Sequence, residues 1–195
     1  MSKSREQLND MLREINIEGK VVLDVGVQDK PTRRLTKGTP KLYVTLDIDP
    51  QWKPDIVADL NDNLVTKQLE AAQHNCDVIF CIEVLEHCWN PIQVLKNLFA
   101  VVRPGGVVYI STPFINPHHD VVDYLRFTDE WYQKAMKAVG FEKITIRERR
   151  ATTGLEALQH FYTLEGMKYS KIRAVKGRYT YPVGYFVSAK RPYAA

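Results

Sequence analysis

The chain has 195 residues, 45% of them apolar and 26% charged, which suits a single globular domain over 1–195 and excludes a disordered or fibrous polymer. Its net charge of +4 is too small to argue for nucleic acid by itself. No stretch approaches the ~20 apolar residues that span a bilayer, and the polar start Met1-Ser2-Lys3-Ser4-Arg5-Glu6 lacks a signal-peptide core, so a cytoplasmic protein is expected.

Leu8, Met11, Leu12 and Ile15 follow helical spacing, with Ser4 as N-cap, before Gly19 turns the chain into a strand. Val21-Val22-Leu23-Asp24-Val25-Gly26, Tyr43-Val44-Thr45-Leu46-Asp47, Asp55-Ile56-Val57-Ala58-Asp59 and Asp77-Val78-Ile79-Phe80-Cys81 are short β-branched runs closing on a small or acidic residue. Such runs read as strands buried on both faces, the habit of parallel sheets. Residues 28–40 are irregular, and Leu64 to Gln73 predicts a helix. Pro91 to Val102 predicts another, with Ile92, Leu95, Leu98, Phe99 and Val102 on one face, stopped by Arg103-Pro104-Gly105-Gly106. A strand over Val107–Ile110 follows, then a helix over Thr128–Val139 capped by Thr128 and ended by Gly140. Lys143–Arg147 and Tyr185–Ala189 complete the strands. Alternating strand and helix predicts an α/β, Rossmann-like, mostly parallel sheet with helices on both faces.

Between the last two strands lies an insertion at about 149–183, where a hairpin would use roughly 2–5 residues. It carries Lys168, Lys171, Arg173, Lys176 and Arg178 among Tyr169, Tyr179 and Tyr181. A connector with a helix around Leu155–Leu164, a substrate lid and an oligomer contact all remain open for it. Cys76, Cys81 and Cys88 cannot all pair, which points to free thiols in a reducing compartment.

In open α/β sheets ligands bind at the carboxyl ends of the strands, where these acids fall. A glycine after the first strand (Gly26) and an acid after the second (Asp47) suit a nucleoside: close backbone approach, then a grip on ribose hydroxyls. A nicotinamide cofactor would need G-x-G-x-x-G, and no glycine follows Gly26 until Gly38. His87, Cys88, His118 and His119 are not accompanied by C-x-x-C or H-x-x-x-H spacing, so no metal is expected.

Leu23-Asp24-Val25-Gly26, Leu46-Asp47-Ile48-Asp49-Pro50, Ala58-Asp59-Leu60, Glu83-Val84-Leu85-Glu86-His87 and Arg103-Pro104-Gly105-Gly106 occur in this order. Together they resemble the class I S-adenosylmethionine-dependent methyltransferases, in particular the type 11 methyltransferase domain group. The resemblance covers residues 20–146 and implies seven strands with the last one reversed. Pro113-Phe114, His119-Asp120 and Asp123-Tyr124-Leu125-Arg126-Phe127-Thr128 are similar to a subgroup's P-H-D-Y-x-R-F-T stretch, and Asp29-Lys30-Pro31 to its D-K-P variant. That subgroup is associated with sugar, polysaccharide and secondary-metabolite pathways. Gln28 stands where the second glycine of D-x-G-x-G is usual, adding bulk where backbone meets the methionine part of the cofactor.

The resemblance implies S-adenosyl-L-methionine as cofactor. Asp24 and Gly26 would order the first loop, Asp47 would hold the ribose diol and Ile48 would lie beside adenine. Asp59 and Leu60 would meet the adenine edge, and Cys81 and Glu83 would border the pocket at the fourth strand, Cys81 as a small buried residue. His87 would lie near the cofactor or pack the following helix. Methyl transfer to a hydroxyl of a sugar or related metabolite is expected, with His119 as general base, oriented by Asp120 or Asp123. Arg126 would bind an anionic acceptor or brace the loop. A binding protein without methyl transfer and a nucleic-acid methyltransferase are the alternatives; against the latter, Ile82-Glu83-Val84-Leu85 stands where an N-P-P-Y-like motif would be. The sequence leaves oligomeric state open.

Overall fold

A computed structural model describes residues 3–28, 31–62, 75–116, 118–150 and 182–193. The helix expected over 64–73 and nearly all of the insertion lie outside these residues, as do Asp29 and Lys30. Seven strands form one sheet: β1 (Val21–Val25), β2 (Leu42–Asp47), β3 (Ile56–Val57), β4 (Cys76–Ile82), β5 (Val102–Pro113), β6 (Glu142–Arg150) and β7 (Pro182–Lys190). Their spatial order is β3-β2-β1-β4-β5-β7-β6. The first five pair in parallel, whereas β7 runs antiparallel to both β5 and β6. This is the Rossmann-like arrangement with a reversed last strand.

Helix α1 (Lys3–Arg13) covers one face of the sheet, and α2 (Pro91–Val101) and α3 (Asp129–Val139) cover the other. Alternation along β1 and β4 divides the core between them. Val22, Val78 and Phe80 join Leu8, Met11, Leu12, Ile15 and Ile17 on the α1 side. Leu23, Val25, Ile79 and Cys81 join Leu95, Leu98, Tyr132 and Met136 opposite. Each such large side chain taken from water contributes about 1.5–3 kcal/mol. The three cysteines are buried thiols.

Local chemistry explains the element ends. Thr128 accepts from the Trp131 amide at 3.2 Å and caps α3, and Gly140 closes it with φ 111°. Asn90 caps α2, accepting from the Gln93 amide at 3.3 Å, with Pro91 at the first helical position. Ser4 lies inside α1 and does not cap it, because Lys3 is already helical. The α2 stripe differs from expectation: Ile92, in the first turn, is 37% exposed, and Val94 and Val101 are buried in its place. The stop signal Arg103-Pro104-Gly105-Gly106 falls within β5. The helix ends at Val101 as expected, and pairing passes from Cys76–Val102 directly to Val78–Val107, so these residues loop out as a bulge ahead of the expected strand.

Strand order reverses beside β1: β2 lies on one side and β4, reached after β3, on the other. That switch point opens a crevice at the carboxyl ends of β1 and β4. Gly26 turns the chain there with φ +68°, and a Cβ on it would meet Val84 Cγ2 at 2.3 Å. Gly26→Ala should therefore lose stability to both the left-handed backbone, about 1–2 kcal/mol, and the clash. Urea unfolding of Gly26→Ala should show a clear loss, and adding Val84→Ala should recover the clash part only. A Gly26→Ala midpoint equal to wild type would contradict this packing.

Candidate functional site

The crevice opens into a cavity of about 620 Å³. It is lined by Arg5, Asn9 and Leu12 of α1, by the loop after β1, by Glu83 and His87 after β4, and by His119 and Asp120 after β5. Asp24, the fourth residue of β1, points to the α1 side and is 1% exposed. Its carboxylate accepts from the Thr32 amide (2.7 Å), the Thr32 hydroxyl (2.9 Å) and the Tyr43 hydroxyl (2.5 Å), folding the loop back over the strand end. Burial pushes the Asp24 carboxyl up to about 6 against the lowering effect of these bonds. Burial, and then the neighbouring Asp24, push the Tyr43 phenol above its ordinary range.

Gln28 lines the cavity with φ +44°, a left-handed conformation in which the usual glycine would be unstrained. Its amide donates to Asp47 Oδ2 at 3.2 Å, and the Asp49 amide donates to Oδ1 at 3.0 Å. Asp47 thus pins two loops at the end of β2 and is 5% exposed.

After β4 the chain turns through Glu83 (φ +56°) into a short 3₁₀ turn, Leu85–His87. Glu83 Oε1 accepts from the Ser111 hydroxyl (2.6 Å) and from Arg149 Nη2 (2.9 Å). Arg149 is 2% exposed and also donates to the Thr112 carbonyl at 2.7 Å. It lies over Gly184 of β7, where a Cβ would come within 2.2 Å of the guanidinium. Glu86, fully buried, has both carboxylate oxygens without a hydrogen-bond partner. Its carbonyl accepts from the Tyr124 (2.9 Å) and Leu125 (3.2 Å) amides, docking the segment after β5 onto this turn. His87 and His119 consequently meet edge to face, ring centroids 5.1 Å apart.

Asp123 organises that segment. Its side chain is covered, Arg126 grips it with both terminal nitrogens, and His119 Nδ1 lies 3.0 Å from Oδ2. The Arg126 guanidinium holds the Asp123 carboxyl below the usual carboxylate range, aided by the His119 amide.

A methyltransferase domain model matches residues 3–146. The chain belongs to this family. The chain is 33% identical to a ubiquinone biosynthesis O-methyltransferase of Pseudomonas fluorescens (strain Pf0-1) over 115 residues, covering 53% of this chain and 48% of that protein. It is 27% identical to a tRNA U34 carboxymethyltransferase of Nautilia profundicola over 172 residues, covering 73% of this chain and 57% of that protein. The chain thus spans about half the length of these curated relatives. A solved S-adenosylmethionine-dependent methyltransferase from Archaeoglobus fulgidus shares the fold, with TM-score 0.62, 15% identity and coverage of 96% of this chain and 94% of that one. The fold and family are those of class I S-adenosylmethionine-dependent methyltransferases. No helix among the described residues is long and apolar enough to cross a membrane.

Of the residues expected at the methyltransferase site, Asp24, Gly26, Glu83, His119 and Asp120 line one cavity. Asp47, Ile48, Asp59 and Leu60 cluster at the ends of β2 and β3, outside its lining. Ile48 is 62% exposed, Asp59 Oδ1 accepts from the Asn61 amide at 2.8 Å, and the Leu60 carbonyl accepts from Asn97 at 2.8 Å. The Cys81 side chain lies wholly in the core, and burial pushes its thiol up. Two acceptor-side expectations each held two alternatives, and the contacts favour one of them. The carboxylate beside His119 Nδ1 is Asp123; Asp120, at φ +65°, accepts from the Val121 amide at 2.8 Å. Arg126 is turned onto Asp123 and the Leu125 and Asn116 carbonyls, the geometry of a brace. Arg149 and Glu86 were not singled out from sequence. The only signals for Arg149 were a charged residue entering the insertion and a glycine in the last strand.

Asp24 has a pH signature. Its folded value of about 6 exceeds the unfolded ~3.9, so its contribution is full below pH ~4 and is lost as pH rises to ~6. The loss is of order 3 kcal/mol. Asp24→Asn should flatten the wild-type decline between pH ~4 and ~6 in urea unfolding; parallel profiles for the two proteins would contradict it.

Proposed function

We propose that this methyltransferase binds S-adenosylmethionine across the β1–β4 crevice and methylates a hydroxyl of a small metabolite of the sugar class. One observation carries the reading: His119, held by Asp123, faces the same cavity as Gly26 and Gln28. The residues fit a cofactor with a zwitterionic amino-acid head, since one cavity is lined by Asp24 and Glu83 and by the guanidinium-bearing Arg5 and Arg34. Asp47 is assigned to the ribose hydroxyls, Ile48 to the adenine face, and Asp59 with Leu60 to the adenine edge. When bound, the cofactor supplies a methyl group already activated by its sulfonium.

The chain's own work is then positioning and proton removal. His119 Nδ1 lies between Asp123 Oδ2 at 3.0 Å and the Asn116 side-chain amide at 3.1 Å, and the reading assigns its proton to Nδ1, toward the carboxylate, and its lone pair to Nε2. That nitrogen is assigned to take the acceptor's hydroxyl proton, and Asp123 stabilises the imidazolium formed. Leu12, Leu35 and the histidine rings wall the cavity, whose volume suits a small molecule. A nucleic-acid acceptor is the second reading, favoured by the longer alignment with the tRNA carboxymethyltransferase and disfavoured by this walled cavity.

Two substitutions separate the halves of the site. Asp47→Ala should weaken S-adenosylhomocysteine binding in calorimetry by tenfold or more, a loss of about 1.5–3 kcal/mol. His119→Ala should leave that affinity within about twofold while lowering turnover ~10²–10⁴-fold. Unchanged binding in Asp47→Ala would sink the cofactor assignment, and undiminished turnover in His119→Ala would sink the base.

A further inference from the structure

We propose that Glu86, His87 and His119 form a binding site for a divalent transition-metal ion, open toward the cavity for an oxygen atom of the acceptor. One ligand atom from each of the three lies within 4.8 Å of the others, and His87 Nε2 is 3.7 Å from Glu86 Oε1. Ligands ~2.0–2.2 Å from a shared ion stand roughly 3–4 Å apart, so closing on a cation requires side-chain shifts of less than an ångström or so.

Glu86 supplies an independent observation. It is 0% exposed, and neither carboxylate oxygen has a hydrogen-bond partner. A buried carboxyl left in this state is costly, and most are paired or coordinate metals. Its two acidic neighbours each have an arginine: Glu83 pairs with Arg149 and Asp123 with Arg126. Glu86 is hydrogen-bonded to neither arginine, although both act on it electrostatically, and His87 Nε2 lies 3.7 Å from its Oε1. An added cation would complete this arrangement.

The surroundings of Nδ1 decide which nitrogen each histidine can offer. His87 Nδ1 faces the Val122 carbonyl at 2.5 Å and His119 Nδ1 faces Asp123 Oδ2 at 3.0 Å. The Val122 carbonyl only accepts, so His87 carries its proton on Nδ1 and its lone pair on Nε2. His119 Nδ1 also lies 3.1 Å from the Asn116 side-chain amide, and the site requires its proton to be turned to Asp123. A carboxylate or carbonyl behind a ligating histidine is the usual support of a metal site. Two imidazoles and one carboxylate suit zinc, manganese, iron or cobalt, and a three-ligand set leaves positions open, as in catalytic rather than structural sites. His87 and His119 line the cavity while Glu86 lies behind them, so the open positions face the acceptor.

The role given to the ion rests on the proposed methyl transfer. It would hold the acceptor oxygen and favour its deprotonated form, the proton passing to water with no change of oxidation state. His119 would then serve as ligand, and the ion would replace it in activating the hydroxyl.

The test uses the full chain freed of metal by chelation. Cobalt(II) should bind at one ion per chain with visible d–d absorption, and zinc or manganese should compete for the same site. His87→Ala and His119→Ala should each abolish that spectrum. Glu86→Gln should weaken binding at least tenfold, with circular dichroism showing the fold retained. Asp123→Asn should weaken it ~10–100-fold through the orientation of His119. Binding no tighter than ~100 µM, or binding that survives the joint loss of His87 and His119, would overturn the site. S-adenosylhomocysteine calorimetry on the same protein separates this from the function. Cofactor binding without metal binding overturns the site and leaves the methyl-transfer reading. Metal binding without cofactor binding supports the site and sinks that reading.

Discussion

The constraint on which the site depends is the disposal of buried carboxylates at one edge of a parallel sheet. β1, β2 and β4 all end on that edge, and the chain must turn sharply after each. The turns pass through left-handed residues at Gly26, Gln28 and Glu83, conformations that local sequence alone would not favour at the last two. Asp24, Asp47 and Glu83 hold them by accepting hydrogen bonds from Thr32 and Tyr43, from Gln28 and Asp49, and from Ser111 and Arg149. Their removal would cost more than a surface contact, because the partner amides would be left without acceptors. The scaffold thereby fixes the loops that a cofactor must meet.

These carboxylates divide the site into two halves with different work. Strands β1 to β3 carry the groups assigned to the cofactor, and the turns after β4 and β5 carry the imidazoles. The halves are joined at Glu83, which borders the cavity and is tied through Arg149 to the antiparallel strands β6 and β7. The reversed seventh strand therefore does more than close the sheet. Its Gly184 leaves room for the guanidinium that neutralises Glu83. The acceptor is assigned to the second half, and the curated relatives are named for different kinds of target, ubiquinone biosynthesis and tRNA.

Much of the fold was legible because it follows local rules. The β-branched runs gave the central strands, and Thr128 with Gly140 bounded α3 as capping chemistry requires. Elsewhere tertiary context overrode the local signal. Arg103-Pro104-Gly105-Gly106 follows the end of α2 as it reads, but pairing with β4 starts β5 at Val102, ahead of the expected Val107, with these residues as a bulge. The apolar stripe of α2 is rotated from the expected one because Val94 and Val101, not Ile92, face the sheet. In the site, Asp24, Gly26 and Glu83 were readable from their place after apolar runs. The His119 partner was legible only as a choice between two aspartates, since a helical or loop course puts either within reach. Glu86 and Arg149 were invisible, because their significance lies in contacts between segments far apart in sequence.

The most direct measurement of the central claim is amide hydrogen exchange with and without S-adenosylhomocysteine. Ligand in the β1–β4 crevice should slow exchange in three separated segments, 26–28, 47–49 and 83–87, while α3 and the β6–β7 pairing remain unaffected. Protection confined to other segments, or none at saturating ligand, would contradict a cofactor site at the carboxyl edge of this sheet.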